Sequence, residues 1–190
     1  MNLPNKLTVV RMALVPVFIV FFYLGQGGAQ LFCILAFAIF AIASFTDMLD
    51  GHIARSRGQI TNFGKLMDPL ADKVLTTSAF IVFVDAHMIP AWMVVVILAR
   101  EFAITGLRGV AASEGVVIAA GVSGKFKTVF QMVAICLILL GSAVFDVPAT
   151  HNLCALIWAA GAICLWIAVI LTVYSGIEYL VRGRKLLNMK

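Results

Sequence analysis

Six apolar runs follow one another along this chain, at about 8–24, 30–50, 66–84, 90–112, 123–145 and 152–180. Each is long enough to cross a bilayer with some tilt, since a transmembrane helix needs roughly 20 predominantly apolar residues. The runs leave room for six spans and no separate soluble domain. The expectation is therefore an all-α, polytopic integral membrane protein, with one transmembrane domain of six helices over 1–190. Composition agrees: 63% of residues are hydrophobic and only 12% charged, against about 25% charged in a soluble domain. The even spread of the runs excludes a single-span anchor or an amphipathic surface helix. Arg11 interrupts the first run, and no small-residue cleavage site follows it, which argues against a secretory signal. Cys33, Cys136, Cys154 and Cys164 lie inside apolar runs without CxxC spacing and read as packing residues.

The basic residues give the orientation. The connections after the first, third and fifth runs contain no lysine or arginine, and all 14 basic residues lie at the termini or around the second and fourth connections. The positive-inside rule then puts both termini in the cytoplasm. The net charge of +5 needs no nucleic acid partner, because basic residues at a cytoplasmic face suit anionic lipids and phosphate ligands.

Four of the nine acidic residues, Asp47, Asp50, Asp68 and Asp72, crowd the stretch between the second and third runs. A charge at membrane depth costs roughly 2.5–3.5 kcal/mol unless paired or hydrated, and marks a functional site by default. Asp47 stands 17 residues from Gln30, and Asp68 stands 17 residues from Asp85. By helical rise both lie about 25 Å from the outer ends of their runs, level with each other and near the cytoplasmic side. The spacings of three within the first pair and four within the second put each pair on one helix face. Two antiparallel helices with a connection of about 15 residues bring the pairs face to face. Carboxylates packed so closely repel and take up protons unless divalent cations relieve them, and an all-oxygen set suits Mg²⁺ or Mn²⁺. Two ions bridged by such a cluster serve phosphoryl transfer. Gly51 and Gly64 permit close backbone approach, and Arg55 offers a fork to a phosphate. Helix capping, or pairing with Arg55, Arg57, Lys65 and Lys73, would explain any single aspartate but not four in facing pairs.

The pattern Asp47-x2-Asp50-Gly51-x2-Ala54-Arg55-x8-Gly64-x3-Asp68-x3-Asp72 resembles, at all eight fixed positions, the signature of the CDP-alcohol phosphotransferases. That family's six-helix architecture agrees with the six runs. The resemblance implies displacement of CMP from a CDP-linked lipid by an alcohol hydroxyl. It implies that Asp47, Asp50, Asp68 and Asp72 hold two Mg²⁺ or Mn²⁺ ions, with Asp72 also the general base on the acceptor. Gly51, Ala54, Arg55 and Gly64 would line the cytidine diphosphate site, with Asn5 and Thr8 as further nucleotide contacts. Thr8 is equally plausible as a first-turn cap. A homodimer is the assembly the family implies.

The acceptor has to be read outside the signature. The run R-E-F-A-I-T-G-L-R at 100–108 places Glu101, Thr105 and Arg108 on one face of the fourth helix. The run S-G-K-F-K-T at 123–128 enters the fifth helix from the cytoplasmic side. Together with N-L-P-N-K-L-T-V-V-R at 2–11, these runs look like those of the phosphatidylglycerophosphate synthases within the family. That likeness implies CDP-diacylglycerol as donor and sn-glycerol 3-phosphate as acceptor, its phosphate held by Arg108, Lys125 and Arg100. Against this stands the plainer reading of Arg100–Glu101 as a buried ion pair, and of Lys125 and Lys127 as positive-inside residues. Tyr174 and Glu178 need only interface and helix-end roles, and His52, beside the first aspartate pair, lies at a position the signature does not fix. The competing functions are a cardiolipin synthase of the same family and, outside it, a divalent-cation transporter. A bacterial cytoplasmic membrane is the expected location, with the active site facing the cytoplasm.

Overall fold

The computed structural model describes residues 3–56, 62–113, 122–144 and 151–187, and side chains within 5–46, 67, 70–113, 123–144 and 152–181. The described residues form six helices: α1 (Leu3–Gln26), α2 (Gln30–Ser56), α3 (Asn62–Asp85), α4 (Ala91–Ser113), α5 (Val122–Val144) and α6 (His151–Leu187). Each grows from one apolar run. Among the described residues three helices are long and apolar enough to cross a membrane, over Asn5–Gln26, Ser123–Val144 and Asn152–Val181. α2 contributes a shorter apolar stretch, Gln30–Thr46, and α3 and α4 carry charged residues along their length.

α1, α2, α3 and α6 outrun their apolar runs into polar sequence, whereas α4 and α5 match theirs to within a residue. α2 continues to Ser56 and α3 begins at Asn62, so only 57–61 separates them where about 15 residues were expected. α6 runs through the basic tail to Leu187, and at 37 residues it is about 55 Å long. Hydropathy registers contact with hydrocarbon, whereas a helix needs only backbone pairing and tolerant side chains, and Ala, Arg, Lys and Leu are good helix formers in water too.

Tight turns define one end of the bundle. Gly28 takes a left-handed φ of 92° between α1 and α2, a conformation that costs glycine little. α3 ends in a Schellman motif: His87 N–H bonds Val84 O at 3.0 Å and Met88 N–H bonds Phe83 O at 2.9 Å. His87 itself takes the left-handed conformation, φ 58°. Tyr23 donates to Asp85 Oδ2 at 2.8 Å, and Gln30 Nε2 donates to the Ala143 carbonyl at 2.9 Å. The last turns of α1, α3 and α5 and the first turn of α2 thus meet at this end.

Between the ends lies an apolar core. α1 presents Val15, Phe18 and Phe22, spaced three and four apart and buried, the repeat of one helix face. The Phe18 ring lies 5.7 Å from that of Phe40 on α2, and the Phe22 ring 5.8 Å from that of Phe83 on α3. Ala134, Ile135, Ile138 and Leu139 of α5 join the same core. α1 packs on α2 and α3, α2 on α5, α5 on α6, and α4 leans chiefly on α6. α5 and α6 approach closely through glycine: a Cβ at Gly141 would stand 2.7 Å from Trp158 Nε1, and one at Gly161 3.3 Å from Leu137 Cβ. Small residues at such contacts let backbones come together where hydrocarbon gives no hydrophobic drive.

Candidate active site

Polar side chains gather at the end opposite the tight turns. Lys73 of α3 donates from Nζ to Thr105 Oγ1 on α4, and Thr105 donates in turn to the Glu101 carbonyl at 2.8 Å. The Glu101 carboxylate accepts from Lys127 Nζ of α5. Arg100 Nη1 stands 4.0 Å from the same carboxylate, while Arg100 Nε donates to Ser175 Oγ of α6 at 3.2 Å. One turn beyond Thr105, Arg108 Nη2 donates to the Tyr179 hydroxyl of α6 at 2.5 Å. Ser123 at the start of α5 donates to Glu178 Oε2 at 2.9 Å. α3, α4, α5 and α6 are thereby tied together at one end by groups that would be costly to leave unpaired in an apolar surround.

Beside these ties lies a cavity of about 70 Å³. Asp72, Thr76, Glu101, Thr128 and Gln131 give it polar walls, and Phe80 lies at its apolar side. Gln131 is 5% exposed, and its Nε2 has no partner among the described residues. The space can hold more than one water-sized group, since about 10–15 Å³ suffices for each. Gln131 and the Asp72 carboxylate thus line the same space.

Asp72 is the one signature aspartate whose side chain is described; it is half-buried in α3. Asp47, Asp50, Gly51, Ala54 and Arg55 belong to the last turns of α2, and Gly64 and Asp68 to the first turns of α3, with their side chains outside the described residues. All four aspartates thus stand within helices. Asn5 and Thr8 are buried in α1. Of the expected acceptor residues, Arg100 and Arg108 converge on Tyr179: their guanidinium carbons lie 5.6 and 5.3 Å from its ring centroid. Lys125 is exposed, whereas Lys127 is 1% exposed and points at Glu101. Residues two apart do not share a helix face, so the inward cation of this run is Lys127, and the ion pair of Glu101 is made chiefly with it rather than with Arg100.

Several residues of the site were not legible as such in the sequence. Tyr179 faces inward, while its neighbour Tyr174 is 62% exposed. Ser175 and Gln131 are buried, and both are small or neutral polar residues on long hydrophobic helices. Arg11 is fully buried and continues the Asn5–Thr8 face at the same spacing of three. That polar stripe on α1 was the available signal for Arg11.

Asp72 is the one carboxylate in the cavity wall that could serve a hard divalent cation. Carboxylate and hydroxyl oxygen are the donor type that Mg²⁺ and Mn²⁺ prefer, and the Lys73 ammonium lines the same space. Among the described residues no three acidic, histidine or cysteine side chains form a metal cluster. Glu101 is engaged by Lys127, so further carboxylate ligands would have to come from the aspartate-bearing turns of α2 and α3.

Residues 1–174 match the CDP-alcohol phosphatidyltransferase family. A CDP-diacylglycerol–glycerol-3-phosphate 3-phosphatidyltransferase of Bacillus subtilis strain 168 is 41% identical over 187 residues, covering 94% of this chain and 93% of its own. Proteins of the same name from Rickettsia bellii and Haemophilus influenzae are 37% and 36% identical, each covering 94% of this chain and over nine-tenths of their own length.

Proposed function

Because this chain belongs to the CDP-alcohol phosphatidyltransferase family, we infer that it transfers the phosphatidyl group of CDP-diacylglycerol to sn-glycerol 3-phosphate, giving phosphatidylglycerophosphate and CMP. The relatives named for that reaction match over nearly their whole length. The observation that carries the acceptor is the meeting of Arg100 and Arg108 on Tyr179, one turn beyond the Lys73–Thr105 bridge that starts beside Asp72. A phosphorylated alcohol needs a cationic site of its own, within reach of the base but apart from the diphosphate. A neutral alcohol needs none.

The reaction forms one P–O bond and breaks another. The acceptor hydroxyl oxygen attacks the lipid-side phosphorus, the anhydride bond to CMP breaks, and the hydroxyl proton goes to Asp72. Asp47, Asp50, Asp68 and Asp72 would hold two Mg²⁺ or Mn²⁺ ions, which when bound neutralise the diphosphate and the departing CMP. Asp72 must keep proton-accepting capacity, and its place in the cavity wall supports that role. Arg108 and Arg100 hold the acceptor phosphate, and Lys125 reaches it from the exposed start of α5. Gly51, Ala54, Arg55 and Gly64, with Asn5 and Thr8 of α1, form the site for the cytidine diphosphate of the donor. All six helices span the cytoplasmic membrane, both termini and the site face the cytoplasm, and the chain acts as a homodimer surrounded by membrane lipid.

Purified protein with CDP-diacylglycerol and Mg²⁺ or Mn²⁺ tests this by CMP release. Release with glycerol 3-phosphate, and none without an acceptor, is expected. Release with phosphatidylglycerol but not with glycerol 3-phosphate would assign a cardiolipin synthase instead, and no release with any acceptor would overturn the reaction.

A further inference from the structure

Arg100 and Arg108 are eight residues apart on α4, about 12 Å of helical rise, yet both guanidinium groups reach one aromatic ring. We propose that Tyr179 is a positioning residue for the acceptor site: its ring and hydroxyl hold the two arginines at the spacing that receives a phosphate monoester. The proposal rests on the reading of Arg108 as a phosphate ligand.

Among the described residues Arg108 meets no carboxylate, and the Glu101 carboxylate that Arg100 approaches at 4.0 Å is taken by Lys127. The face of an aromatic ring attracts cations through its quadrupole, most strongly when water is excluded, and Tyr179 is 4% exposed. The hydroxyl adds direction, accepting from Arg108 Nη2 and so fixing which edge of that guanidinium turns inward. Arg108 Nε is buried and has no partner among the described residues.

The rest of the ledge comes from the same stretch of α6. Ser175, one turn before Tyr179, takes Arg100 Nε. Gly176 gives the Arg100 stem room to pass, since a Cβ there would stand 3.3 Å from Arg100 Cγ. From the sequence S-G-I-E-Y at 175–179, the groups seen to meet the two arginines are the Ser175 hydroxyl and the Tyr179 ring and hydroxyl, all neutral, while Glu178 accepts from Ser123. Neutrality matters chemically. A carboxylate at 179 would hold the arginines equally well but would neutralise them and compete with an incoming phosphate, whereas a tyrosine orients them and leaves their charge available.

The test compares Tyr179→Phe, which keeps the ring and removes only the hydroxyl, with Tyr179→Leu, which removes both, and with Arg108→Ala. Steady-state kinetics are measured against each substrate in turn, and thermal protection of the unreacted protein by glycerol 3-phosphate gives a readout independent of turnover. We expect Tyr179→Phe to raise KM for glycerol 3-phosphate about tenfold, the scale of one hydrogen bond to a charged group. Tyr179→Leu should raise it further, both variants should lose protection by glycerol 3-phosphate, and KM for CDP-diacylglycerol should stay within about twofold of the parent value. If Arg108→Ala raises KM for glycerol 3-phosphate while neither Tyr179 variant does, the tyrosine has no positioning role and the arginine reading stands. If Arg108→Ala leaves that KM unchanged, the arginine reading fails and this proposal fails with it. Equal rises for donor and acceptor in Tyr179→Phe would show a structural role only. Should Tyr179→Leu fail to fold, Tyr179→Phe carries the decision.

Discussion

Lys127 is a buried ammonium whose charge is met by Glu101, a side chain that remains about a quarter exposed. Charge at that depth is tolerated because the partner is at hand, and removing one member of a buried pair costs more than the pair contributes. Glu101→Gln should therefore destabilise the protein by about 2–3 kcal/mol, toward the low side for a buried pair because Glu101 is partly wet. In detergent this corresponds to a fall of roughly 5–10 °C in the unfolding midpoint for a chain of this size. Glu101→Gln combined with Lys127→Met should recover at least half of the loss, because no charge then stays unmet. A double variant no more stable than Glu101→Gln alone would mean that the pair is not what holds α4 to α5. The sequence showed Glu101 on a shared face with Thr105 and Arg108, and that face is real: each of the three bonds a different helix. Their partners could not be read, because Lys73, Lys127 and Tyr179 lie on three other helices and only packing brings them near.

α5 and α6 show how far an element is specified by its pattern of apolar residues and where that pattern stops. Both helices follow from their hydrophobic runs, but their closeness follows from Gly141 and Gly161, which carry no hydropathic signal. A methyl at Gly141 would fall 2.7 Å from Trp158 Nε1 and 2.8 Å from its Cδ1, and an indole in a packed interface cannot give way as a lysine tip would. Gly141→Ala should cost about 1–3 kcal/mol through overpacking. Trp158→Leu should open the space, so the double variant should lose less than the two single losses added, with a coupling of about 0.5–3 kcal/mol. Strict additivity of the unfolding midpoints would show that the two residues do not touch. Helix ends were legible in the same partial way. The Gly27-Gly28 turn was marked by its glycines, whereas the extensions of α2, α3 and α6 into charged sequence were hidden, because a boundary of hydropathy is not a boundary of helix.

Over the whole molecule, the two ends of the bundle differ in kind. The tight-turn end carries a neutral amide on a carbonyl and one tyrosine on Asp85, whereas the opposite end carries Lys73, Arg100, Glu101, Arg108 and Lys127 with their partners. This division repeats the distribution of all 14 basic residues, which the sequence displayed before any fold was known. It also suits the proposed chemistry. Glycerol 3-phosphate and CMP are water-soluble and charged, the diacylglycerol tails are not, and only a site at one membrane face lets all of them meet. If that face is cytoplasmic, Gln26, exposed at the tight-turn end, and Ser113, exposed at the far end of α4, lie on opposite sides of the membrane. In a variant with the four native cysteines replaced, Gln26→Cys should react with a membrane-impermeant maleimide in intact cells. Ser113→Cys should react only after permeabilisation. The reversed pattern would turn the charged end away from the cytoplasm, and labelling of both from outside would mean that α1 to α4 do not cross the bilayer as the positive-inside rule requires. The outcome bears on the reaction as well as the topology, because an enzyme with Asp72 and Arg108 on the outer side could not draw glycerol 3-phosphate from the cytoplasm.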